Sequence, residues 1–324
     1  MMRFLLKRFV GVLPVLFFLP LITFVVMHFV PGNYFDSLRL NPQISPETIA
    51  RYEAMYHLDQ PVLVQFFYWL KHICTLDFGY SFAYKQPVLD LLLSRLGNTF
   101  LLTGAAFLLA WLAAVPAGLL AAFYRDGFCD RLFRLVAYLG LAIPNFFLCL
   151  VLLYLASRWG PLPLGGMRSV GHADLSAVGK VWDIMRHMAI PVFVLSLSSF
   201  AYLFRLMRSQ TLEVVSKDFV FYLRASRVSE AKILFKHIGR NAINPLVTLF
   251  GLELPALFSG AALVEIFTGW PGLGQVMLQA VRTQDLFLVL GNMVMIAVIL
   301  VIGNLLADIL LAVMDPRIRL GRTN

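Results

Sequence analysis

The chain has 324 residues, of which 60% are hydrophobic and 14% charged, and its mean hydropathy is +0.78. Soluble domains are about half apolar and about a quarter charged, so this composition excludes an ordinary soluble globule and a disordered chain. The formal net charge of +9 is by itself compatible with a nucleic-acid partner. The three cysteines have no spacing typical of a metal site or a disulfide framework.

Long uncharged runs predict an all-α polytopic membrane protein. A spanning helix needs about 20 mostly apolar residues. The first run, 9–30, has no small-residue cleavage site and is predicted to be a retained anchor rather than a signal peptide. With the five further runs the prediction is six transmembrane helices: 9–30, 96–124, 135–157, 187–204, 246–268 and 286–314.

The basic residues predict the orientation of these helices. With the N-terminus in the cytoplasm, 17 of the 27 Lys and Arg lie in the predicted cytoplasmic segments. This excess fits the positive-inside rule, so both termini are predicted to be cytoplasmic. It also accounts for the net charge, so membrane lipid is predicted as a partner and nucleic acid is not. The predicted organisation is a cytoplasmic N-terminus 1–8, the first transmembrane helix 9–30, an external segment 31–97, a five-helix core 98–314 and a cytoplasmic C-terminus 315–324.

The extended external segment contains two helix signals. Ser45-Pro46-Glu47 is typical of a helix start, with a capping Ser, Pro in the first turn and an early acid. The amphipathic run 62–73 is predicted to lie along the membrane interface or to pack over the helix ends.

Small and helix-breaking residues indicate a bundle of kinked helices. A ridge of small residues recurs every four positions, which favours close helix–helix contact in lipid, although general alanine richness is an alternative interpretation. Prolines within the predicted spans favour kinks around an internal cavity. The ridge is Ala106, Ala110, Ala114, Gly118 and Ala122, and the prolines are Pro14, Pro20, Pro116, Pro144, Pro191 and Pro255.

The predicted cytoplasmic loop 205–240 carries 8 basic and 3 acidic residues, and its pattern is helical. Ser229 is predicted to cap a helix, and Leu223, Ile233 and Leu234 are predicted to anchor the loop to the membrane. Two interpretations remain: a positively charged loop resting on anionic headgroups, or a docking helix for a cytoplasmic partner.

Several motifs, in order along nearly the whole chain, resemble those of one family. The run 217–230, KDFVFYLRASRVSE, followed by HIGRNAINP at 237–245, resembles the coupling-loop signature of ABC importer permeases. More narrowly, it resembles the B-type membrane subunit of the dipeptide/oligopeptide/nickel group. The other matches are Pro31-Gly32, LDQP at 58–61, LDFGYS at 76–81, QPV at 86–88, IPNF at 143–146, LPLGG at 162–166, VEIFTGWPGLG at 264–274 and DPRI at 315–318.

This resemblance implies that the chain forms half of a translocation pathway in the cell inner membrane. A second, C-type permease subunit would supply the other half, two cytoplasmic ABC ATPase subunits would dock on the coupling loops, and an external binding protein would deliver the substrate. The implied substrate is a peptide or a related small solute, with nickel chelates and some sugars as alternatives. The chain contains no GxxxxGK[ST], so ATP hydrolysis is expected from partner subunits, and no cofactor is predicted.

The resemblance also assigns candidate site residues. Arg227 stands where the family usually has Gly, and Leu223 where it usually has Ala. The ATPase-coupling residues are Asp218, Phe219, Tyr222, Arg224, Ala225, Arg227, Ser229 and Glu230. The possible pathway or gating residues are Glu253, Glu265, Trp270, Pro271, Gly272 and Gly274.

Two carboxylates within the predicted spans have alternative roles, since a charge at membrane depth is costly. Glu265 either caps the segment that follows it or faces the pore. Glu253 either faces the cavity or lines a helix contact. Two other functions are considered: a stand-alone secondary transporter or channel, for which inverted repeats and charged relays are missing, and a membrane scaffold or intramembrane enzyme, for which no reactive motif such as HExxH or GxSxG is found.

Overall fold

The computed structural model describes residues 2–30, 32, 34–39, 45–55, 57, 59–160 and 162–314. It divides into two compact units, one comprising Met1–Asn98 and Pro271–Ile302 and the other Thr99–Trp270 and Gly303–Asn324. The helices are α1 Met2–Phe29, α2 Tyr34–Arg39, α3 Pro46–Met55, α4 Val62–Ile73, α5 Val88–Phe123, α6 Phe128–Ala142, α7 Asn145–Trp159, α8 Ala177–Val215, α9 Asp218–Ala225, α10 Glu230–Lys232, α11 Gly239–Ala242, α12 Asn244–Thr268, α13 Leu273–Arg282 and α14 Leu286–Met314. A 3-10 turn, His172–Asp174, precedes α8, a π-helical segment, Ile233–Ile238, joins α10 to α11, and two short strands, β1 Tyr80–Ser81 and β2 Gln86–Pro87, pair antiparallel.

The predicted all-α fold class is confirmed, apart from the short β1–β2 ladder, which was not predicted. Within the described ranges, four helices are long and apolar enough to cross a membrane, or five if a bent pair counts as one span. The predicted span 246–268 falls inside α12, which is helical throughout. The number six stays a prediction, and the predicted C-terminal segment 315–324 lies outside the described residues.

The predicted third span is not one helix. The run 135–157 is divided between α6 and α7, whose axes differ by 108°. Ile143 between them is extended, with φ −94° and ψ 121°, because the ring of Pro144 disfavours helical geometry in the residue before it. The prediction of a single helix was therefore wrong, although the proline that breaks it was identified.

The two helix signals of the predicted external segment are confirmed as helices. The backbone N–H of Thr48 donates to the Ser45 hydroxyl at 3.2 Å, so α3 begins with the predicted cap. The amphipathic run coincides with α4, and its buried face packs against α1. Phe66 of α4 is fully buried there, and its ring lies edge-on to Phe24 of α1 with centroids 5.6 Å apart.

A buried carboxylate fastens the β1–β2 hairpin to the start of α14. Asp285 accepts hydrogen bonds from the Ser81 hydroxyl at 2.8 Å and from the Ala83 N–H at 3.0 Å. Its other oxygen accepts from the Leu288 N–H at 3.3 Å, as a helix N-cap does. Burial raises the pKa of the Asp285 carboxyl, and these donated hydrogen bonds oppose that rise.

In the other unit, the predicted ridge of small residues on α5 is a close helix contact. Ala106, Ala110 and Ala114 are buried. A Cβ added at Gly118 would lie 2.7 Å from the Cβ of Met207 and 3.0 Å from the carbonyl oxygen of Phe204, both on α8. The ridge therefore lets the backbones of α5 and α8 approach each other closely.

Replacing Gly118 by Ala is expected to lower the free energy of unfolding by about 1–3 kcal/mol, since the added methyl group overpacks the contact with α8. The matched control is Gly104→Ala on the same helix, where an added Cβ meets nothing within 4 Å. That variant is expected to be neutral or slightly stabilising, because Ala is the better helix former. Thermal unfolding of the purified proteins measures both effects, and equal behaviour of the two variants would contradict the tight contact.

Candidate functional site

The segment 205–240 is helical, as predicted, and its first part continues a long helix. α8 runs to Val215, eleven positions beyond the predicted end of the span at residue 204. The charged residues after 204 end the apolar run, but none of them interrupts the helix. α9, α10 and the π-helical segment then follow in close succession.

The apolar side chains of this segment pack inside the protein. Ile233 and Leu234 are buried in a cluster with residues of α5 and α8, and Leu223 packs against the same cluster. The prediction that these three residues anchor the loop to the membrane was therefore wrong: an apolar pattern indicates burial, and here the burial is against protein.

Arg227 forms the turn that ends α9. Its φ is +57°, in the left-handed region. Its N–H donates to the carbonyl of Arg224 at 3.0 Å, and the N–H of Val228 donates to the carbonyl of Leu223 at 3.1 Å, which is the Schellman pattern. The same pattern ends α12, where Gly269 has a φ of +61°. Position 227, where the family usually has Gly and this chain has Arg, therefore adopts a conformation that favours glycine.

Arg227→Gly is expected to be tolerated, with a free energy of unfolding equal to that of the parent or higher by up to about 1 kcal/mol. Relief of the left-handed strain, about 1–2 kcal/mol, is offset by the entropy that Gly loses on folding. Arg227→Val is expected to destabilise, because β-branched residues tolerate this conformation poorly. Thermal unfolding compares the variants, and a severe loss in Arg227→Gly would mean that the arginine side chain holds the turn.

The outer face of this segment presents aromatic and charged side chains. Phe221 is 71% exposed and Tyr222 68% exposed. Arg224 and Glu230 form an ion pair, with Arg224 Nε 3.0 Å from Glu230 Oε1 and Arg224 Nη2 3.3 Å from Oε2. We call the segment 217–235 the coupling segment.

Most of the predicted coupling residues lie on the surface of this segment. Phe219 is partly buried against the core. Ser229 occupies the predicted position before the first residue of α10, but its hydroxyl makes no capping bond. Sequence reasoning missed Phe221 and Phe235, which are both exposed. Each directly follows an apolar residue that is buried, Val220 or Leu234, and this adjacency was the available signal. The exposed predicted residues are Asp218, Tyr222, Arg224, Ala225, Arg227, Ser229 and Glu230.

The predicted gating segment begins at the end of α12. The Glu265 side chain is fully buried, and its Oε1 accepts a hydrogen bond from the Thr99 hydroxyl of α5 at 2.7 Å. The Glu265 carbonyl accepts from the N–H of Trp270, which is also fully buried, at 2.9 Å. Glu265 thus lies under the turn at Gly269 and contacts it through its backbone.

Two of the family-like motifs meet at this turn. The N–H of Gly166 donates to the carbonyl of Thr268 at 2.8 Å. A Cβ added at Gly165 would lie 2.9 Å from the same oxygen, so this close approach requires glycine. The loop containing LPLGG at 162–166 is therefore packed onto the C-terminal end of α12.

The remaining predicted gating residues, Pro271, Gly272 and Gly274, belong to the other unit. The Asn98 side-chain amide donates to the carbonyl of Pro271 at 2.8 Å, and Gly272 precedes the first residue of α13. Gly274 is buried, and the Asn292 side-chain amide of α14 donates to the carbonyl of Leu273 at 2.9 Å. These bonds hold the start of α13.

Glu253 and Asp183 are the other acidic side chains of note on the helices. Glu253 of α12 is partly buried and is hydrogen-bonded by Ser199 of α8. Asp183 of α8, which sequence reasoning missed, accepts bonds from the Ser169 N–H at 2.9 Å and from His172 Nδ1 at 2.7 Å. It fastens the loop before α8, and no local sequence signal marked it.

Comparisons with known proteins agree with the resemblance seen in the sequence. Residues 114–320 match the family "Binding-protein-dependent transport system inner membrane component", and residues 1–103 match the N-terminal family of such membrane components. The chain is 35% identical to the oligopeptide transport system permease protein AppB of Bacillus subtilis, over 98% of this chain and 99% of that protein. It is 29% identical to the dipeptide transport system permease protein DppB of Alkalihalophilus pseudofirmus, over 98% of this chain and 100% of that protein.

A solved structure shows the same fold. A chain of the MetNI methionine ABC transporter in an inward-facing conformation aligns with a TM-score of 0.52 at 15% identity, over 70% of this chain and 97% of that chain. The family matches and the full-length relatives confirm the predicted resemblance to ABC importer permeases. The chain belongs to the family of inner-membrane components of binding-protein-dependent transport systems, the permease subunits of ATP-driven importers.

Proposed function

We propose that this permease forms half of a pathway for peptide import and that its coupling segment docks on a cytoplasmic ATPase. The observation that carries the substrate class is the similarity, over nearly the whole chain, to oligopeptide and dipeptide permeases. The coupling role rests on a segment that is packed firmly on one face and presents exposed aromatic and charged groups on the other.

The packing of the coupling segment suits it to transmit movement. Val220 of α9 and Ile233, Leu234 and Ile238 of the π-helical segment are all buried in one cluster with α5 and α8. Close-packed cores pass displacement on rather than absorbing it, so a push on the exposed face would shift the helices beneath it. Closure of two ATPases would in this way drive alternating access. A π-helical segment, frequent at functional sites, supports the same assignment.

The wider assembly follows from the same proposal. Six spans with both termini in the cytoplasm place 31–97 outside and the coupling segment inside. A second, C-type permease completes the pathway, two ABC ATPases hydrolyse ATP, and an external binding protein delivers the peptide. Nickel chelates and sugars are the alternative substrates.

Within the pathway, we assign Glu265 and Trp270 to positioning the turn at Gly269, which we call the gating turn, since both side chains are fully buried. Glu253 is partly buried and is the candidate for contact with a peptide amino group. Pro271 and Gly272 lead into α13, and Gly274 lies in its first turn. Hydrogen bonds to backbone carbonyls hold this start of the helix.

Reconstitution into vesicles tests the function. The permease, its C-type partner, the ATPases and the binding protein are combined with a labelled peptide and ATP. We expect uptake that requires every subunit, that is competed by unlabelled peptide, and that is not competed by a nickel chelate or a sugar. Uptake by the permease alone, driven by an ion gradient, would instead support a secondary transporter.

A further inference from the structure

A cleft between α6 and α8 is lined by basic and hydroxyl side chains, and no residue of the coupling segment or the gating turn lines it. Its volume is about 450 Å³, and its polar lining consists of Arg134, Tyr138, Tyr202, Arg205, Arg208 and Ser209. Arg134 and Tyr138 are four positions apart on α6, so they lie on one face of that helix. Tyr202, Arg205 and Ser209 share a face of α8 for the same reason.

The cleft has more positive charge than its neighbours compensate. Arg208 is committed to the buried Asp130, with Nε 2.7 Å and Nη2 2.9 Å from its oxygens. Arg134 is shared between Asp126 at 3.3 Å and Asp130 at 3.4 Å, and Arg125 also pairs with Asp126. Among the described residues, no carboxylate lies within ion-pair distance of Arg205, which is exposed. The cleft therefore attracts an anion, and Arg205 is its uncompensated charge.

The flank of the cleft is apolar. Tyr138 and Tyr202 at its edge are exposed, and so are Leu135 and Leu139 beside them on α6. Exposed apolar side chains next to a basic cleft on a membrane helix suit acyl chains attached to a phosphate headgroup. A soluble phosphate would gain nothing from this flank.

We propose that the cleft between α6 and α8 binds the headgroup phosphate of an anionic phospholipid. Arg205 and Arg134 meet the phosphate oxygens, the Ser209 hydroxyl donates a hydrogen bond, and the acyl chains lie along Leu135 and Leu139. Arg208 stays paired with Asp130 and shapes the floor of the site.

Native mass spectrometry of the assembled importer tests the proposal, with phosphatidylglycerol as the probe and phosphatidylcholine as the neutral comparison. We expect tighter binding of phosphatidylglycerol, and about a fivefold weaker affinity in Arg205→Gln, which is the effect of about 1 kcal/mol for one basic residue near anionic lipid. Adding Ser209→Ala to Arg205→Gln is expected to weaken the binding of phosphatidylglycerol further, because the hydroxyl donor is then lost as well. Thermal unfolding of Arg205→Gln should match the parent, since the side chain is exposed.

The matched control is Arg131→Gln, which removes an exposed charge from α6 that does not line the cleft. Binding in this variant is expected to stay near the parent value. An equal loss in both variants would overturn the proposal in favour of diffuse attraction. Displacement of the lipid by millimolar inorganic phosphate would assign the site to a soluble anion. Equal binding of the two lipids would show that the cleft does not select an anionic headgroup, and either result overturns the lipid assignment.

Discussion

Reversing the charge of Arg224 or of Glu230 is expected to uncouple ATP hydrolysis from uptake while leaving the permease inserted and folded. In the reconstituted importer, peptide transported per ATP hydrolysed should fall about tenfold or more. Placing like charges across an interface costs several kcal/mol, and about 1.4 kcal/mol already corresponds to a factor of ten. Parallel measurements of uptake and ATPase activity give this ratio.

Loss of the ion pair itself does not account for an effect of this size. Arg224 is 44% exposed and Glu230 53% exposed, and exposed pairs contribute at most about 1 kcal/mol to stability. A large loss of coupling would therefore report the contact with the ATPase rather than the fold of the coupling segment.

A double variant that exchanges the two charges, Arg224→Glu with Glu230→Arg, separates the two explanations. It restores the internal pair but presents inverted charges to the ATPase, so we expect it to remain uncoupled. Recovery of uptake in the double variant would assign the pair to internal structure. The control is Glu213→Lys on α8, just before the coupling segment, which breaks the exposed pair between Glu213 Oε1 and Lys217 Nζ, 3.5 Å apart. Its effect should stay within about twofold, as for an ordinary helix-surface pair.

Replacing Glu265 by Ala is expected to lower the free energy of unfolding by about 2–4 kcal/mol. The change removes the hydrogen bond that the Thr99 hydroxyl donates to the Glu265 carboxylate and opens a cavity beneath the turn at Gly269. Glu265→Gln keeps the size and an acceptor oxygen, so it should cost about 1 kcal/mol. The yield of inserted protein and its thermal unfolding measure the difference.

Thr99→Val is the matched control for this contact, since it removes the hydroxyl and keeps the shape of the side chain. If Glu265 acts by holding the turn, the combined Glu265→Gln and Thr99→Val protein should lose less stability than the sum of the two single changes. A Glu265→Ala protein that is as stable as the parent but transports no peptide would instead place this carboxylate in the pathway.

Local patterns in the sequence predicted the parts of the fold that local physics determines. The Ser45 cap and the amphipathic run of α4 depend on neighbouring residues, and both were found as predicted. The small-residue ridge on α5 was also visible, since its spacing of four matches the helix turn. Pro144 marked a break, but the 108° change of direction depends on what α6 and α7 pack against.

Long-range contacts were beyond sequence reasoning. The apolar pattern of Ile233 and Leu234 predicted burial but did not distinguish lipid from protein, so the membrane anchor was the wrong choice. Asp285 bonds Ser81 across 204 positions, and Glu265 bonds Thr99 across 166, and no local pattern indicates such pairs. Among the candidate site residues, the family resemblance supplied the assignments, and the structure added their exposure and partners.

Crosslinking the coupling segment to the ATPase is the most direct test of the proposal that this segment docks on the ATPase. A single cysteine at Tyr222, in a protein whose Cys74, Cys129 and Cys149 are replaced by Ser, is combined with cysteines on the ATPase surface in the assembled importer. The matched position is the fully exposed Val170, in the loop before α8. We predict crosslinks from position 222 and none from position 170. Absence of crosslinks from position 222, or its labelling by a membrane-impermeant maleimide from outside intact cells, would contradict the coupling assignment.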